Sequence, residues 1–153
     1  MVGQKKMLKE KEMLVKLSEC KNRILLSIKH EFVVEILAGR KKFEFRRRVP
    51  KDFSNVKSIV IYACAPVRAV LAEVEVVEVL VTDPYGLWLY TRGKAGIYWD
   101  DYVRYFDGCR LAYAFRLGEV TLFDSPKSLA DFGVKRAPQN FVYLPKKADG
   151  GLC

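Results

Sequence analysis

The apolar and polar positions at the start of the chain follow a helical pattern. From residue 5 to residue 17, apolar side chains recur among lysines and glutamates at roughly helical spacing, and a polar stretch at residues 18–22 ends the pattern. This spacing predicts an amphipathic helix within residues 1–20. A helix-turn-helix needs a second helix close behind the first, and none is predicted, so we expect this helix to pack on the domain or to bind a protein partner.

The rest of the chain carries short apolar runs that are typical of strands. A buried strand is predicted at residues 24–29, followed by a short helix with His30 at its start and Gly39 at its end. Later runs predict strands at 56–64, 69–81 (with a bulge near Val77), 110–117 and 120–123, and helices at 85–91 and 99–106. The tail is predicted to be mostly irregular. Short strands that outnumber helices favour an α+β fold, with a closed or nearly closed β-barrel and small helices outside it.

Residues 42–46 predict a strand with two different faces. Successive side chains of a strand point in opposite directions, so Phe43 and Phe45 share one face, while Lys42, Glu44 and Arg46 share the other. Glu44 and Arg46 are therefore predicted neighbours. One interpretation makes them ligand-binding groups; the alternative is a surface ion pair that stabilises the strand by at most about 1 kcal/mol.

The net charge of +9 is concentrated at one end of the chain. Residues 1–51 hold fifteen lysines and arginines against six acidic residues, whereas residues 52–153 hold twelve of each. A polarised basic region is expected for a protein that binds a polyanion, since each neutralised phosphate releases counterions. A basic tail that serves general solubility is the alternative interpretation.

The cysteines and the length of the apolar runs argue against several other classes of protein. The four cysteines, Cys20, Cys64, Cys109 and Cys153, are too far apart for the close pair of a zinc site or a redox motif, so we expect reduced thiols and no metal. No cofactor is predicted. No early segment resembles a signal peptide, and charged residues interrupt the longer apolar runs well short of a membrane span. We therefore expect a cytoplasmic protein without a membrane partner.

Residues 39–46, with the sequence Gly-Arg-Lys-Lys-Phe-Glu-Phe-Arg, match the pattern G-x-K-x-x-E-x-R. This pattern resembles the signature of the ASCH family within the PUA-like superfamily. The preceding strand and short helix, and the later Ala-Pro-Gln-Asn-Phe run at residues 137–141, also resemble that family. The resemblance implies a small mixed β-barrel with short peripheral helices over residues 21–145, preceded by the N-terminal helix (1–20) and followed by a flexible tail (146–153).

The resemblance also implies a function in binding RNA or a modified nucleoside, beside the strand that carries the motif. Some ASCH proteins resemble small amidohydrolases that act on an acylated cytidine through a motif lysine, a threonine three residues later and a glutamate elsewhere. Lys41 matches that lysine, but Glu44 occupies the position of the threonine. The leading hypothesis is an RNA-binding or modified-nucleoside-binding module, and the alternative is a nucleoside amidohydrolase that uses Lys41 and Glu44. The sequence leaves open whether any reaction is catalysed.

The predicted ligand-binding residues are polar groups expected near the mouth of the barrel: Lys29, Lys41, Glu44, Arg46, Arg48 and Gln139. Arginine offers a planar fork suited to phosphate, lysine a point charge, and glutamate an acceptor for the exocyclic amine of a base. Arg47 is expected on the outer surface. Bases also stack on aromatic rings, and the candidate rings are those of Tyr62, Tyr85, Trp88, Tyr98 and Trp99.

Overall fold

The computed structural model describes residues 2–20 and 23–145. The four helices of this part of the chain are α1 (Val2–Cys20), α2 (His30–Leu37), α3 (Pro84–Thr91) and α4 (Trp99–Tyr105). Its six strands are β1 (Arg23–Ile28), β2 (Phe43–Arg46), β3 (Ser58–Ala63), β4 (Ala69–Thr82), β5 (Ala112–Lys127) and β6 (Phe141–Tyr143). Two 3₁₀ turns lie at Phe53–Asn55 and Leu129–Phe132. The predicted flexible tail, residues 146–153, lies outside the described residues.

The six strands form one mixed sheet in the order β2-β5-β4-β3-β1-β6. Only β1 and β3 are paired in parallel, and the chain between them passes through α2 and β2; the other pairs are antiparallel. The sheet curls into a half-barrel that leaves β2 and β6 at its edges. The predicted α+β fold with a small mixed barrel is therefore confirmed.

Two hydrophobic clusters determine which helices pack on which part of the sheet. Val33 and Ile36 of α2 are buried against residues of β1, β3 and β4, and Phe115 of β5 belongs to the same cluster. Phe43 and Phe45 of β2 instead pack with α3 and α4, in a cluster that includes Leu87, Tyr102 and Phe106. Strand β2 therefore lies between α2 on one side and the α3–α4 pair on the other.

Two strands differ from the sequence-based expectation. The strands predicted at 110–117 and 120–123 are one continuous strand, β5, which passes through Gly118 without a break. A Cβ atom at Gly118 would lie 2.7 Å from Val77 Cγ2, so this glycine permits the close approach of the β4 bulge. That bulge, predicted near Val77, is confirmed by the register shift between Val76 and Glu78. The tail predicted as irregular contains β6, which pairs with β1.

Helix α1 extends from Val2 to Cys20, somewhat further than the predicted pattern. The side chains of residues 3–14 are all exposed, including the apolar ones, Met7, Leu8, Met13 and Leu14. Residues 3–14 therefore do not pack on the domain, and binding of this helix to a protein partner stays a prediction. Among the helices in the described ranges, none has the length and hydrophobicity needed to cross a membrane.

Candidate functional site

A large cavity opens between α2, β2 and the segment from residue 93 to residue 105. Its volume is about 1210 Å³, and its wall contains both buried and exposed groups. The lining residues are Ser27, Ile28, Lys29, Glu31, Phe32, Glu35, Arg40, Lys41, Glu44, Phe45, Arg46, Arg47, Trp88, Gly93, Ala95, Gly96, Ile97, Tyr98, Asp101, Arg104 and Tyr105. The cavity therefore includes the whole motif strand β2 except the buried ring of Phe43.

Lys41 lies at the floor of the cavity and is almost completely buried, with 3% of the residue exposed. Its Nζ donates a hydrogen bond of 2.7 Å to the backbone carbonyl of Ala95. The ammonium group also lies over the rings of Phe32 and Phe45, 5.0 and 4.8 Å from their centroids. Burial lowers the pKa of Lys41 from 10.5 to about 8, against the opposing effect of the Glu44 carboxylate. Lys41 can therefore gain or lose a proton near neutral pH.

A short glycine-containing loop closes over Lys41. Gly96 has a positive φ of 64°, and a Cβ atom at this position would lie only 2.4 Å from Lys41 Cβ. A side chain at residue 96 is therefore excluded by both backbone conformation and space. The amide of Lys42 also donates to the carbonyl of Lys94 at 2.8 Å. These contacts fix the loop at residues 93–97 to the beginning of the motif strand.

Glu44 and Arg46 form a buried ion pair on the cavity wall. Arg46 Nη2 lies 3.1 Å from Glu44 Oε1, and the two side chains are only 12% and 8% exposed. The same Nη2 donates to the backbone carbonyl of Ser27 at 2.9 Å. In the described part of the chain, Arg46 Nε is buried without a hydrogen-bond partner. The predicted proximity of Glu44 and Arg46 is confirmed, but the pair is buried rather than on the surface.

Tyr105 and Arg47 extend the wall toward the opening. The Tyr105 hydroxyl donates to the carbonyl of Phe45 at 3.2 Å, and burial raises the pKa of this phenol. The guanidinium of Arg47 lies over the Tyr105 ring, 5.0 Å from its centroid. Arg47 therefore faces the cavity, and its expected position on the outer surface is wrong, because β2 ends at Arg46 and the alternation of the strand stops there.

The rim of the cavity carries more cations than anions. Six lysines and arginines line the cavity with four acidic residues. Arg40 binds Glu35 through two hydrogen bonds of 2.8 and 2.9 Å, and Arg104 contacts Asp101 at 2.6 Å. Within residues 2–20 and 23–145, Lys29 and Arg47 have no such carboxylate partner. These two exposed cations are thus available to an anionic ligand.

Four of the six predicted binding residues come together in this cavity: Lys29, Lys41, Glu44 and Arg46. Arg48 and Gln139 are exposed and are not among the residues that line it. Arg48 follows the last residue of β2 by two positions, so strand alternation no longer sets its direction. The tail does approach the cavity, because the Pro138 carbonyl accepts a 2.7 Å hydrogen bond from the Ser27 hydroxyl. The Gln139 side chain nevertheless points into solvent. Whether the six residues bind a ligand stays a prediction.

The five candidate stacking rings occupy different environments. Tyr62 is buried in the core, and Tyr85 and Trp99 lie on the far side of α4 from the cavity. Only Trp88 and Tyr98 line the cavity itself. Trp88 is half-buried and packs with Trp99 and Tyr102, at 5.1 and 5.0 Å between ring centroids. Tyr98, by contrast, is 84% exposed.

Several lining residues are not among the predicted site residues, and three groups of that set contact Lys41 or β2 directly: Phe32, Tyr105 and the Ala95–Gly96 peptide. Each contacts Lys41 or β2 across a long sequence separation or from a helix, so no local pattern indicated it. The only available signals were two closely spaced glycines, Gly93 and Gly96, next to an aromatic segment. Among the described residues, no group of three or more His, Cys, Asp or Glu side chains is placed to hold a metal ion.

Comparison with curated proteins gives two relatives of very different length. An ASCH domain-containing ribonuclease from Zymomonas mobilis is 30% identical over 129 residues, which cover 80% of this chain and 84% of that protein. ATP synthase subunit alpha from Ureaplasma parvum serovar 3 is 26% identical over 125 residues, which cover 81% of this chain. The chain spans only 15% of the length of that ATP synthase subunit.

Solved structures and a family comparison agree with the fold. The crystal structure of ASCH from Zymomonas mobilis superposes with a TM-score of 0.73 at 29% identity, covering 83% of this chain and 90% of that one. A mutant of the Zymomonas protein gives a TM-score of 0.74 at 28% identity, with 82% and 90% covered. The ASCH domain family matches residues 26–117, a range that contains the whole motif strand. The resemblance seen in the sequence is thereby confirmed, and the chain belongs to the ASCH domain family.

Proposed function

We propose that this ASCH domain binds RNA, with one nucleotide held in the cavity beside β2. The observation that carries the proposal is the Glu44–Arg46 pair, which is buried on the wall of an open cavity and has an arginine donor without a partner among the described residues. Buried polar groups are normally satisfied, so an incompletely satisfied pair on a cavity wall is expected where a polar ligand binds. The concentration of basic residues in the first third of the chain also supports a polyanionic ligand.

Each part of the cavity suits a different part of a nucleotide. Lys29 and Arg47 are exposed cations at the opening and would bind backbone phosphates. Glu44 would accept a hydrogen bond from the exocyclic amine of a base, while the contact with Arg46 holds the carboxylate in position. The Zymomonas relative, named as an ASCH domain-containing ribonuclease, supports RNA as the polyanion.

A direct binding assay tests the proposal. We would titrate labelled single-stranded RNAs, with modified and unmodified cytidine and adenosine, at about 50 and 200 mM salt. We expect affinity to fall with salt, and Glu44→Gln and Arg46→Met to weaken binding by roughly tenfold or more, because each removes a charged hydrogen-bonding group. Arg116→Ala is the matched control, since Arg116 pairs with Glu78 at 3.4 Å away from the cavity. The proposal is wrong if the parent binds none of these RNAs.

Lys41 favours a second function, catalysis in the same cavity. Burial lowers its pKa to about 8, which suits a group that exchanges protons at physiological pH. For RNA, neutral Lys41 would take the proton of a 2′-hydroxyl as that oxygen attacks the adjacent phosphorus, while Arg46 neutralises charge on the phosphate. The bond from that phosphorus to the 5′-oxygen of the next nucleotide would break, and the leaving 5′-oxygen would take a proton from water, so the products are a 2′,3′-cyclic phosphate and a 5′-hydroxyl end. For an acylated nucleoside, Lys41 and Glu44 would instead support hydrolysis of the amide. The ribonuclease name of the Zymomonas relative favours the RNA reaction.

A turnover assay separates these two reactions from simple binding. Intact RNA and an N4-acylated cytidine would each be incubated with the parent and with Lys41→Met, and the products identified by mass. Loss of RNA cleavage in Lys41→Met, at unchanged thermal stability and RNA affinity, would support the ribonuclease reaction. Hydrolysis of the nucleoside alone would support the amidohydrolase, and an inactive parent that still binds RNA would leave the binding function only.

A further inference from the structure

Tyr98 is a large aromatic side chain that the fold leaves uncovered. It lines the rim of the cavity with 84% of its surface exposed. The neighbouring Trp99 packs with Trp88, Tyr85 and Tyr102, whereas the Tyr98 ring contacts no other ring within the described ranges. The Tyr98 ring therefore contributes little to the stability of the fold. An exposed aromatic ring on a basic rim is typical of a surface on which a nucleobase stacks.

The backbone on both sides of Tyr98 is fixed. On one side, Gly96 packs directly against Lys41, and the Ala95 carbonyl accepts the Lys41 hydrogen bond. On the other side, the Tyr98 carbonyl accepts the amide of Tyr102 at 2.9 Å and begins α4. Tyr98 itself has an extended backbone, with φ −76° and ψ 150°. Its ring is therefore held at the opening, so little backbone ordering is needed when a ligand arrives.

The cavity is also larger than a single small ligand requires. Its volume of about 1210 Å³ exceeds the ~300–1,000 Å³ of typical small-molecule pockets. The two cations without carboxylate partners in the described residues, Lys29 and Arg47, both lie at its opening rather than at its floor. More than one phosphate can therefore be neutralised, and along an RNA strand successive phosphates belong to successive nucleotides.

From these three observations we propose that the ligand is a single-stranded RNA that continues out of the cavity, with the base next to the bound nucleotide stacked on Tyr98. This inference rests on the proposed RNA-binding function and adds a residue and a ligand class to it. The ion pairs Arg40–Glu35 and Asp101–Arg104 line the same cavity as Tyr98, so charged groups share this opening with the ring, as is typical of a surface for a polyanion. A duplex cannot bind in this way because its bases are already stacked on each other.

The test measures how the Tyr98 side chain affects the affinity for a long and for a short ligand. Binding of a labelled single-stranded octanucleotide and of a 5′-mononucleotide would be measured for the parent, Tyr98→Ala and Tyr98→Phe, with the RNA confirmed intact afterwards. Tyr98→Ala should weaken octanucleotide binding about 5- to 100-fold, the range expected for loss of one base stack, and leave mononucleotide binding unchanged. Tyr98→Phe should restore the parent affinity because the ring is retained. Tyr90→Ala is the control, since Tyr90 is 61% exposed on α3 and does not line the cavity.

Each other result overturns the inference in a distinguishable way. If the parent binds the octanucleotide and Tyr98→Ala behaves like Tyr90→Ala, the stacking role is wrong while RNA binding stands. If Tyr98→Ala weakens mononucleotide and octanucleotide binding equally, Tyr98 belongs to the nucleotide pocket and the strand does not extend over it. If the parent binds neither ligand, the RNA-binding function itself is wrong, and the role of Tyr98 with it.

Discussion

Two glutamate–arginine pairs of this molecule are buried to almost the same extent but are satisfied very differently. The Arg23–Glu73 pair joins β1 to β4, with side chains 12% and 9% exposed. Its two parallel hydrogen bonds measure 2.9 and 3.1 Å, and the Ser58 hydroxyl donates a third, of 2.9 Å, to the same carboxylate. Arg23 also donates to the carbonyl of Pro145 at 3.3 Å. This pair is bidentate and well satisfied.

The Arg46–Glu44 pair has side chains 12% and 8% exposed, yet it lacks the two parallel hydrogen bonds of the first pair, and Arg46 Nη2 lies 3.1 Å from Glu44 Oε1. The Arg46 Nη2 atom donates a hydrogen bond to the Ser27 carbonyl and lies in ion-pair contact with Glu44, and in the described residues Nε has no hydrogen-bond partner. Because the two pairs are buried to nearly the same extent, their difference in hydrogen bonding cannot come from solvent exposure. A buried charge that is fully paired stabilises a structure, whereas one left partly unpaired costs stability and is expected where a ligand completes the set.

The first prediction compares the stability of Arg23→Met and Arg46→Met. Arg23→Met leaves Glu73 buried without its bidentate partner, and we expect a loss of about 3 kcal/mol in the free energy of unfolding. Arg46→Met exposes Glu44 to a cavity that water can enter, so a loss of about 1 kcal/mol is expected. Urea unfolding of both variants measures the difference.

The same two substitutions should affect RNA affinity in the opposite order to their effect on stability. Arg46→Met should weaken binding, while Arg23→Met, measured at a temperature where it is folded, should bind like the parent because Arg23 does not line the cavity. Equal destabilisation by the two substitutions would remove the distinction between a structural and a ligand-binding pair. If both variants bound RNA with the same affinity, Arg46 would have no specific role in RNA binding.

The second prediction concerns the close contact between Gly96 and Lys41 on the wall of the cavity. Gly96→Ala should destabilise the protein by about 2–4 kcal/mol, because the new Cβ overlaps Lys41 and the backbone has positive φ. Gly93→Ala is the matched control: Gly93 also has positive φ, 89°, but nothing lies within 4 Å of a Cβ there. Gly93→Ala should therefore cost only about 1 kcal/mol. Similar losses for both variants would show that the contact with Lys41 does not matter.

The same two regions show what the sequence could and could not predict. The proximity of Glu44 and Arg46 follows from the alternation of one short strand, so a local rule was sufficient. The burial of Lys41 depends on Ala95 and Gly96, more than fifty residues away, and no local pattern contains that information. Strand alternation does not determine the direction of Arg47, because β2 ends at Arg46.

The fold shows the same division between local and distant information. The half-barrel and most helices follow from apolar periodicity together with the resemblance to a known family. The short strand β6 has only three residues, Phe141–Tyr143, and exists because it pairs with β1. The strands predicted at residues 110–117 and 120–123 are one continuous strand, and the glycine between them, Gly118, gives the β4 bulge the space that a side chain would fill.

The third prediction concerns the pH dependence of stability that the buried Lys41 produces. The pKa of Lys41 is about 8 in the folded chain and near its ordinary 10.5 when unfolded, so the unfolded chain binds more protons between these values. Stability should therefore rise with pH, by roughly 1–2 kcal/mol between about pH 8 and pH 9.5. Above pH 10 the opposite trend is expected, because the pKa of Tyr143 is raised to about 12. Lys41→Met should flatten the rise in urea unfolding; a rise of the same size in that variant would contradict the prediction.

The smallest expected effect concerns the two rim cations, which neither stabilise the fold nor take part in a carboxylate pair within residues 2–20 and 23–145. Lys29→Ala and Arg47→Ala should each change stability by less than about 0.5 kcal/mol, since both side chains are exposed. Each should lower the slope of log affinity against log salt by about one, because one phosphate contact is lost. Lys57→Ala, an exposed lysine outside the cavity, is the control and should leave the slope unchanged. Identical slopes for all three variants would mean that the polyanion does not cross this rim, and the unsatisfied Arg46 would then need a ligand other than RNA.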